Sequence, residues 1–582
     1  MNPNSVYPAH IVIQEKGGKL IQTVEEHLRN TAAIASNTGK PYGLEKAAYL
    51  LGMVHDAGKF SDEFARYIEK AANNEHVVRG SVNHTFSGVR LIMDHHGKSS
   101  SCTMEDAALE ILAYAVGAHH GQFDCVTDKG RNEFERRIHE DHPECDESIS
   151  RYYVEVMDQD ALSGLIQEAV GEIIPLLKRC QKMCKSGQQM KFCAGLLARL
   201  LLSILIDADR QDTAAFMSGE CFPKPFEHED WESIRNHADA IYSQLVAHAA
   251  PSPVNRARQA IASACVNGIS QMGDVIRLNI PTGAGKTITS LRAALAIACD
   301  RQKAHIIYSA PLLSILEQNA NEIRRYVGND SAVLEHHSNV VATEDHDDIR
   351  RSRDLLVQNW SAPVIVTTMV QLLNAMFDGA TASIRRFCAL GRSVMIIDEV
   401  QTVPKKMLTM FNLTISFLST ICQTTLILCS ATQPYLERAD TPPLVPISDL
   451  MPYQDSIWQP FQRTKIIDGN SMQLDEVPAF VEQITSVHNS VLVVCNKKAE
   501  AVYLMDTISL PGVHVVHLSA SMCTSHRRDV LESIQPLLAG HEKVLCISTQ
   551  VIEAGVDVSF GCVIRLTAGM DSIVQAAGRC NR

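Results

Sequence analysis

The stretch VIRLNIPTGAGKTITSLRAAL, from Val275 to Leu295, restricts the fold more than any other part of the chain. It runs from an apolar strand through a glycine-containing loop ending in Gly285-Lys286-Thr287 and into a helix. This is the context that a phosphate-binding loop requires. Backbone N–H groups and the positive end of the helix receive phosphates, Lys286 reaches the outer ones, and the Thr287 hydroxyl binds magnesium. Thr282 and Gly283 complete the loop. The residue types therefore predict ATP with Mg2+ as a cofactor.

From about residue 275 onward, short β-branched runs (VIRLNI, AHIIYSA, VIVTT, SVMIIDE, TLILCSAT, then SVLVVCN, VHVVHLSA, KVLCIST, CVIRLT) alternate with helical stretches. Parallel sheets with crossover helices produce that alternation. Up to about residue 215 the texture differs: apolar residues recur at helical spacing, as in LEKAAYLLGMVHDAGKF and FCAGLLARLLLSILIDADR, which predicts an all-α unit. A chain of 582 residues exceeds one core, and two to four domains are expected at ~100–200 residues each. The expected organisation is an all-α unit over 1–225, a polar, proline-containing linker over 226–255, and two α/β lobes over 256–455 and 456–582.

Neither a signal peptide nor an eighteen-residue apolar run occurs, so a soluble cytoplasmic protein without membrane attachment is expected. The 17 cysteines are scattered through apolar contexts, which suits reduced thiols rather than a disulfide framework. Cys180 and Cys184 lack a second pair at finger spacing. A net charge of -13 argues against a protein coated in positive charge, but leaves room for nucleic acid held in a local groove.

The helical unit carries an unusual set of polar residues. His27 lies on an amphipathic segment, and His55 and Asp56 end the run LGMVHD. His84 sits in NHTFSG, His119 and His120 close AVGAHH, and Asp207 and Asp209 end LLSILIDADR. Packed helices could turn all of these inward, where unpartnered imidazoles and carboxylates are costly and a shared cation resolves the cost.

The order H, HD, H, HH, D resembles the HD superfamily of metal-dependent phosphohydrolases. The resemblance implies that His27, His55, Asp56 and Asp209 hold one ion, and that Asp56, His84, His119 and His120 hold a second. Two such ions suit phosphodiester hydrolysis. Manganese, iron, cobalt, nickel or zinc would all accept these ligands. Lys59, in HDAGK, matches the family's lysine and would meet developing charge on the phosphate. A second HHG at His95 and His96 is an alternative to the later pair, although its Ser-rich continuation favours His119 and His120. Asp207 is an alternative to Asp209, which the A-D step in ADR favours.

The α/β part resembles superfamily 2 helicases, with RecA-like lobes. Its loop lacks the first glycine of the general pattern, where Ile280 stands, but keeps T-G-x-G-K-T. SVMIIDEVQ brings Asp398 for magnesium and Glu399 for the attacking water to the sheet's carboxyl edge. SAT (Ser430 to Thr432), STQVIEAGVDVSF and QAAGRCNR follow in the expected order. In such helicases Arg579 and Arg582 cross the cleft to neutralise the phosphoryl transition state, Gln575 accompanies them, and Gln259 reads adenine. Thr367, Thr368 and Thr549 would contact a single strand through its phosphates.

An HD unit followed by DEVQ, SAT and QAAGRCNR resembles the CRISPR-associated helicase-nucleases of type I systems over essentially the whole chain. That resemblance implies recruitment by an RNA-guided surveillance complex at an R-loop, 3′-to-5′ movement on single-stranded DNA, and degradation of the displaced strand. The family continues beyond the last of these motifs, which implies that a chain ending at Arg582 is truncated or fragmentary. Two other functions remain open: hydrolysis of nucleotides or cyclic oligonucleotides with a regulatory ATPase, and a DNA- or partner-binding remnant.

Overall fold

A computed structural model describes residues 7–13, 18–73, 75–78, 82, 84–94, 103–138, 143–218, 228–311, 313–337, 358–451, 454–553 and 558–581. Among the described residues the first elements are an antiparallel pair, Pro8–Ile13 (β1) and Lys19–Thr23 (β2), and not helices. Ile11, Val12 and Ile13 are β-branched in a run too short to sustain a helical nucleus, so the expectation of an all-α unit fails locally here. Thr23 ends β2 and caps helix Val24–Gly39. Its hydroxyl accepts from the Glu26 N–H at 3.1 Å, and the Glu26 carboxylate accepts from the Thr23 N–H at 2.9 Å.

That helix lies closely against helix Glu45–Val54 because Gly52 carries no side chain; a Cβ there would stand 2.4 Å from the Ala32 Cα. Helices Met104–Gly117, Gln159–Met183 and Gly187–Ser218 complete the packing around them. Gly187–Ser218 has 32 residues and reaches from the polar cluster of the helical unit to the first α/β lobe.

The first lobe is a seven-stranded, all-parallel sheet built from Val275–Asn279 (β3), His305–Ala310 (β4), Val333–His336 (β5), Val364–Thr368 (β6), Ser393–Asp398 (β7), Thr425–Ser430 (β8) and Ser448–Asp449 (β9). Their spatial order is β5-β6-β4-β7-β8-β3-β9. Strand alternation assigns the two faces. Ile307, Ile365, Met395, Ile397 and Leu428 enter one continuous core with Leu28, Leu51, Leu200 and Leu205 of the helical unit. Ile306, Tyr308, Val366, Ile396 and Ile427 face helix Lys286–Asp300 on the other side.

The second lobe is a four-stranded parallel sheet of Ser490–Val494 (β10), His514–Leu518 (β11), Val544–Ser548 (β12) and Cys562–Arg565 (β13), in the order β11-β12-β10-β13. Two separate small cores cover its faces. The architecture is thus a helical unit followed by α/β units with parallel sheets. Among the described residues no helix is long and apolar enough to cross a membrane, and the described cysteines are free thiols.

Candidate metal centre and nucleotide site

Asp56 is the meeting point of the helical unit. It follows His55, which ends helix Glu45–Val54, and its carboxylate is buried. Oδ2 faces the Nε2 atoms of His27 and His55 at 3.3 Å each and the Lys59 Nζ at 2.6 Å. Oδ1 faces Nε2 of His119 at 3.3 Å and of His84 at 3.7 Å. Asp209 closes the first group, its Oδ1 lying 3.4 Å from His27 and 3.9 Å from His55. His84 and His120 bring their Nε2 atoms to 2.7 Å of each other. The ligand-capable atoms therefore form two groups that share Asp56, namely His27, His55, Asp56 and Asp209, and Asp56, His84, His119 and His120; within each group all lie within 4.8 Å of one another.

The outer nitrogens decide what the inner ones can do. Nδ1 of His55, His84 and His119 lies 2.9, 3.1 and 2.6 Å from the carbonyls of Gly52, Val82 and Val116. A carbonyl only accepts, so each Nδ1 must donate, which turns Nε2 inward as the nitrogen that can ligate a cation once it carries no proton. His27 reaches the same state through Asp212, whose Oδ2 is 2.6 Å from Nδ1 and also accepts from Gln22 at 2.8 Å. Nε2 of His27, His55 and His119 and Oδ1 of Asp56 are buried without a hydrogen-bond partner. Buried ligand-capable atoms without partners, gathered around a shared carboxylate, fit cations that displace any proton they carry.

The charge balance agrees. Three carboxylates crowd this cluster: Asp56, Asp209 and Asp212 all face His27, and the buried Lys59 ammonium pairs with Asp56. Burial opposes ionisation of Asp56 and Asp209, but the surrounding cations and imidazoles hold both well below the usual carboxylate range. Burial and the Lys59 charge push His27 down. The hydrogen bond to Asp212 and the carboxylates of Asp209 and Asp56 beside Nε2 outweigh them and raise it to about 10. On the other side, burial lowers His84 to about 4, and the neighbouring His119 together with burial lowers His120 to about 2.

Asp207 does not join this cluster. It accepts from the Arg385 Nε at 2.6 Å and from Asn359 at 3.2 Å, both in the first α/β lobe. The competing pair His95 and His96 lies outside the described residues. Neither Asp212 nor Gln22 was expected from the sequence. Asp212 sits one helical turn beyond Asp209, and that i+3 spacing on a helix already holding a candidate ligand was the available signal.

In the α/β part, Gly283 and Gly285 have φ of 81° and 83°, a left-handed backbone that glycine adopts without strain. The loop presents Lys286 to Asp398, 2.8 Å away, and to Glu399. Glu399 has a left-handed φ of 52°, unusual for a side-chain-bearing residue, and Gln401 donates to it at 2.6 Å.

A buried chain links the two carboxylate-bearing and phosphate-binding segments. Thr287 donates to Asn319 (3.4 Å), Asn319 to the Tyr308 hydroxyl (2.9 Å), and Tyr308 to Asp398 (2.7 Å). Tyr308 and Asn319 were not anticipated from sequence.

Gln259 is half-buried on helix Pro253–Gly268, next to Arg258, which donates to the Gly283 carbonyl at 2.8 Å. Thr282 is exposed at the loop, and Gly578 of the second lobe stands against it: a Cβ there would lie 3.2 Å from the Thr282 hydroxyl oxygen. Gln575 is half-buried on helix Met570–Ala577 of that lobe. Arg579 binds the Ile552 and Glu553 carbonyls of its own lobe at 3.0 and 2.7 Å, and Arg582 lies outside the described residues. Thr367 is not placed for a strand contact; it is fully buried and donates to the His336 carbonyl. Thr368 caps helix Met369–Phe377, and Thr549 is buried.

Three family models match successive parts of the chain: "Cas3, HD domain" over 18–198, "DEAD/DEAH box helicase" over 258–440, and "CRISPR-associated nuclease/helicase Cas3, C-terminal" over 487–582. A CRISPR-associated nuclease/helicase Cas3 of Haloferax volcanii is 26% identical over 429 residues, which is 54% of this chain and 46% of that protein. The chain thus spans about half the length of this curated relative. Among solved structures, T. fusca Cas3 with ATP has a TM-score of 0.57 at 16% identity, over 96% of this chain and 71% of that one. A chain in a CRISPR RNA-guided surveillance complex in a pre-nicking state has a TM-score of 0.52 at 14% identity, over 99% and 71%. At these identities the structures establish the shared fold.

Proposed function

Because the chain belongs to the CRISPR-associated Cas3 nuclease/helicase family, we propose that it moves along single-stranded DNA with ATP and cuts that strand in its helical unit. Residues 1–225 are the nuclease, 226–255 the linker, and 256–455 and 456–582 the two RecA-like motor lobes. The observation that carries this reading is the set of buried, unpartnered inward atoms on His27, His55, His119 and Asp56. Two divalent ions of the manganese, iron, cobalt, nickel or zinc class, when bound, supply Lewis acidity toward a phosphodiester and an ionised water.

The chain's own residues do the remaining work. Asp56 offers one oxygen to each group, Asp212 and the three backbone carbonyls hold the imidazoles in the ligating tautomer, and Lys59 places a positive charge beside the scissile phosphate. In the motor, Lys286 and Thr287 receive the ATP phosphates and magnesium with Asp398, and Glu399, fixed by Gln401, orients the attacking water. Thr282, Gly283 and Gly285 shape the phosphate cradle, Gln259 and Gln575 line the nucleotide cleft, and Arg579 and Arg582 neutralise the transition state from the second lobe. The DNA reaches the enzyme from an RNA-guided surveillance complex that has opened an R-loop, as part of defence against foreign DNA. The protein works in the cytoplasm.

The test uses circular single-stranded DNA, with metal and ATP varied independently. Asp56→Ala abolishes cutting and leaves ATP turnover in place; Lys286→Ala abolishes ATP turnover and leaves cutting of DNA that needs no unwinding. Loss of both activities in both folded variants would refute this division of labour, and a preference for cyclic oligonucleotides over the DNA circle would replace the substrate.

A further inference from the structure

Helix Gly187–Ser218 presents two polar faces to two different partners. Arg199, Ser203 and Asp207 follow at i, i+4 and i+8, so they share one face. Each is bound to the first α/β lobe. Arg199 donates to the carbonyls of Ala375 and Asp378 at 3.0 and 2.7 Å. The Ser203 hydroxyl donates to the Arg385 carbonyl at 3.0 Å and accepts from the Cys388 N–H at 2.9 Å. Asp207 pairs with the Arg385 guanidinium at 2.6 Å and with Asn359 at 3.2 Å. At about 100° per residue, Asp209 points about 200° away from Asp207. It faces His27 and His55, with Asp212 one turn further holding His27.

We infer that Arg199, Ser203 and Asp207 are positioning residues for the candidate metal centre: by fastening their helix to the Ala375–Cys388 segment of the motor lobe, they fix where Asp209 and Asp212 stand. Apolar contacts already join the two units, since Leu200 and Leu205 share a core with Phe387 and Leu390. Such contacts are not directional and tolerate sliding along the helix axis. The polar contacts do not. Arg199 bonds the carbonyl end of helix Met369–Phe377, whose first turn is capped by Thr368 at the end of β6. Three directional attachments spaced along two helical turns set both the rotation and the axial position of the helix. A motor segment therefore helps define the geometry of the nuclease ligands.

This inference rests on the nuclease reading, and the experiment separates the two. In the full chain, Mn2+ affinity by calorimetry, cutting of circular single-stranded DNA at saturating metal and at limiting metal, and ATP turnover are measured for the unaltered protein, Arg385→Gln and Arg385→Lys. Arg385→Gln weakens Mn2+ binding about tenfold, the lower part of the range for groups that orient metal ligands. Cutting falls at limiting Mn2+, recovers largely at saturating Mn2+, and ATP turnover stays within about twofold. Arg385→Lys, which keeps the charge, recovers part of the Mn2+ affinity.

Should Arg385→Gln not fold, Ser203→Ala and Asn359→Ala remove single attachments and are expected to weaken Mn2+ binding by a few-fold each. Unchanged Mn2+ affinity in the folded variants of a chain that does bind Mn2+ and cut DNA overturns the positioning role. An unaltered chain that neither binds Mn2+ nor cuts overturns the nuclease reading instead.

Discussion

Asp212 shows how much of a site can rest on one residue that never reaches its centre. It holds His27 Nδ1 at 2.6 Å, so the opposite nitrogen must face Asp56 and Asp209. Asp212→Asn weakens that hold, and metal affinity is expected to drop by about 10- to 100-fold, read by competition with a chelator. Metal uptake also carries a proton signature. His27 is raised to about 10 and so carries a proton near pH 7 that it must lose to bind metal; His55 is shifted in the same direction, because the carboxylates of Asp56 and Asp209 outweigh its burial. Affinity therefore rises with pH, by about tenfold per unit for each proton released while pH stays below the raised value. Calorimetry in buffers of different ionisation enthalpy measures the release; a proton count of zero would contradict it. His84 and His120, lowered to about 4 and about 2, add nothing to that count. The histidines themselves were legible in the sequence because each ends or lines an apolar run. Asp212 and Tyr308 were not. Their partners stand 185 and 90 residues away, and no local pattern marks such pairings.

At the level of elements, close approach of backbones places the candidate metal ligands. Gly58 lies against the segment carrying His84: a Cβ on it would come within 2.2 Å of the His84 carbonyl oxygen. Gly58→Ala must push that segment away, so the group formed by Asp56, His84, His119 and His120 is expected to lose affinity while the group around His27 keeps it. Titration by Mn2+ should then show one tight equivalent where the unaltered protein shows two. Gly52 plays the matching part between helices Val24–Gly39 and Glu45–Val54. Gly52→Ala overpacks a contact with no room to relax, at a cost of about 1–3 kcal/mol in unfolding free energy. Periodicity alone revealed these helices, and alternation revealed the strands of both parallel sheets except the short edge strands β5 and β9. It failed at β1 and β2, where an apolar N-terminal stretch carries no clear period. It also left Asp207 and Asp209 unresolved, although the helix that periodicity had already assigned to them implies that residues two apart face opposite ways.

The whole molecule divides differently from its sequence texture. The change from helical to α/β pattern near residue 275 suggests a boundary, yet one hydrophobic core crosses it, joining Leu28, Leu51 and Leu200 to Ile307, Phe387 and Phe417. The second lobe has its own two cores, drawn from residues between Val477 and Ala576. It meets the first through limited contacts such as Gly578 beside Thr282, and Asn581 donating to the Arg463 carbonyl at 3.0 Å. Cooperativity follows shared burial, because exposing one half of a common core removes the packing of the other. Scanning calorimetry is therefore expected to show two transitions, with the helical unit and the first lobe melting together and the second lobe apart. Ligands give the sharper form of this prediction. On the proposed function, Mn2+ would bind the helical unit and a magnesium-nucleotide complex mainly the first lobe, yet each at about 100 times its dissociation constant should stabilise the same joint transition, by about 2.7 kcal/mol. If Mn2+ moved one transition and nucleotide another, with neither shared, the two units would be unfolding independently and the common core would not be acting as one.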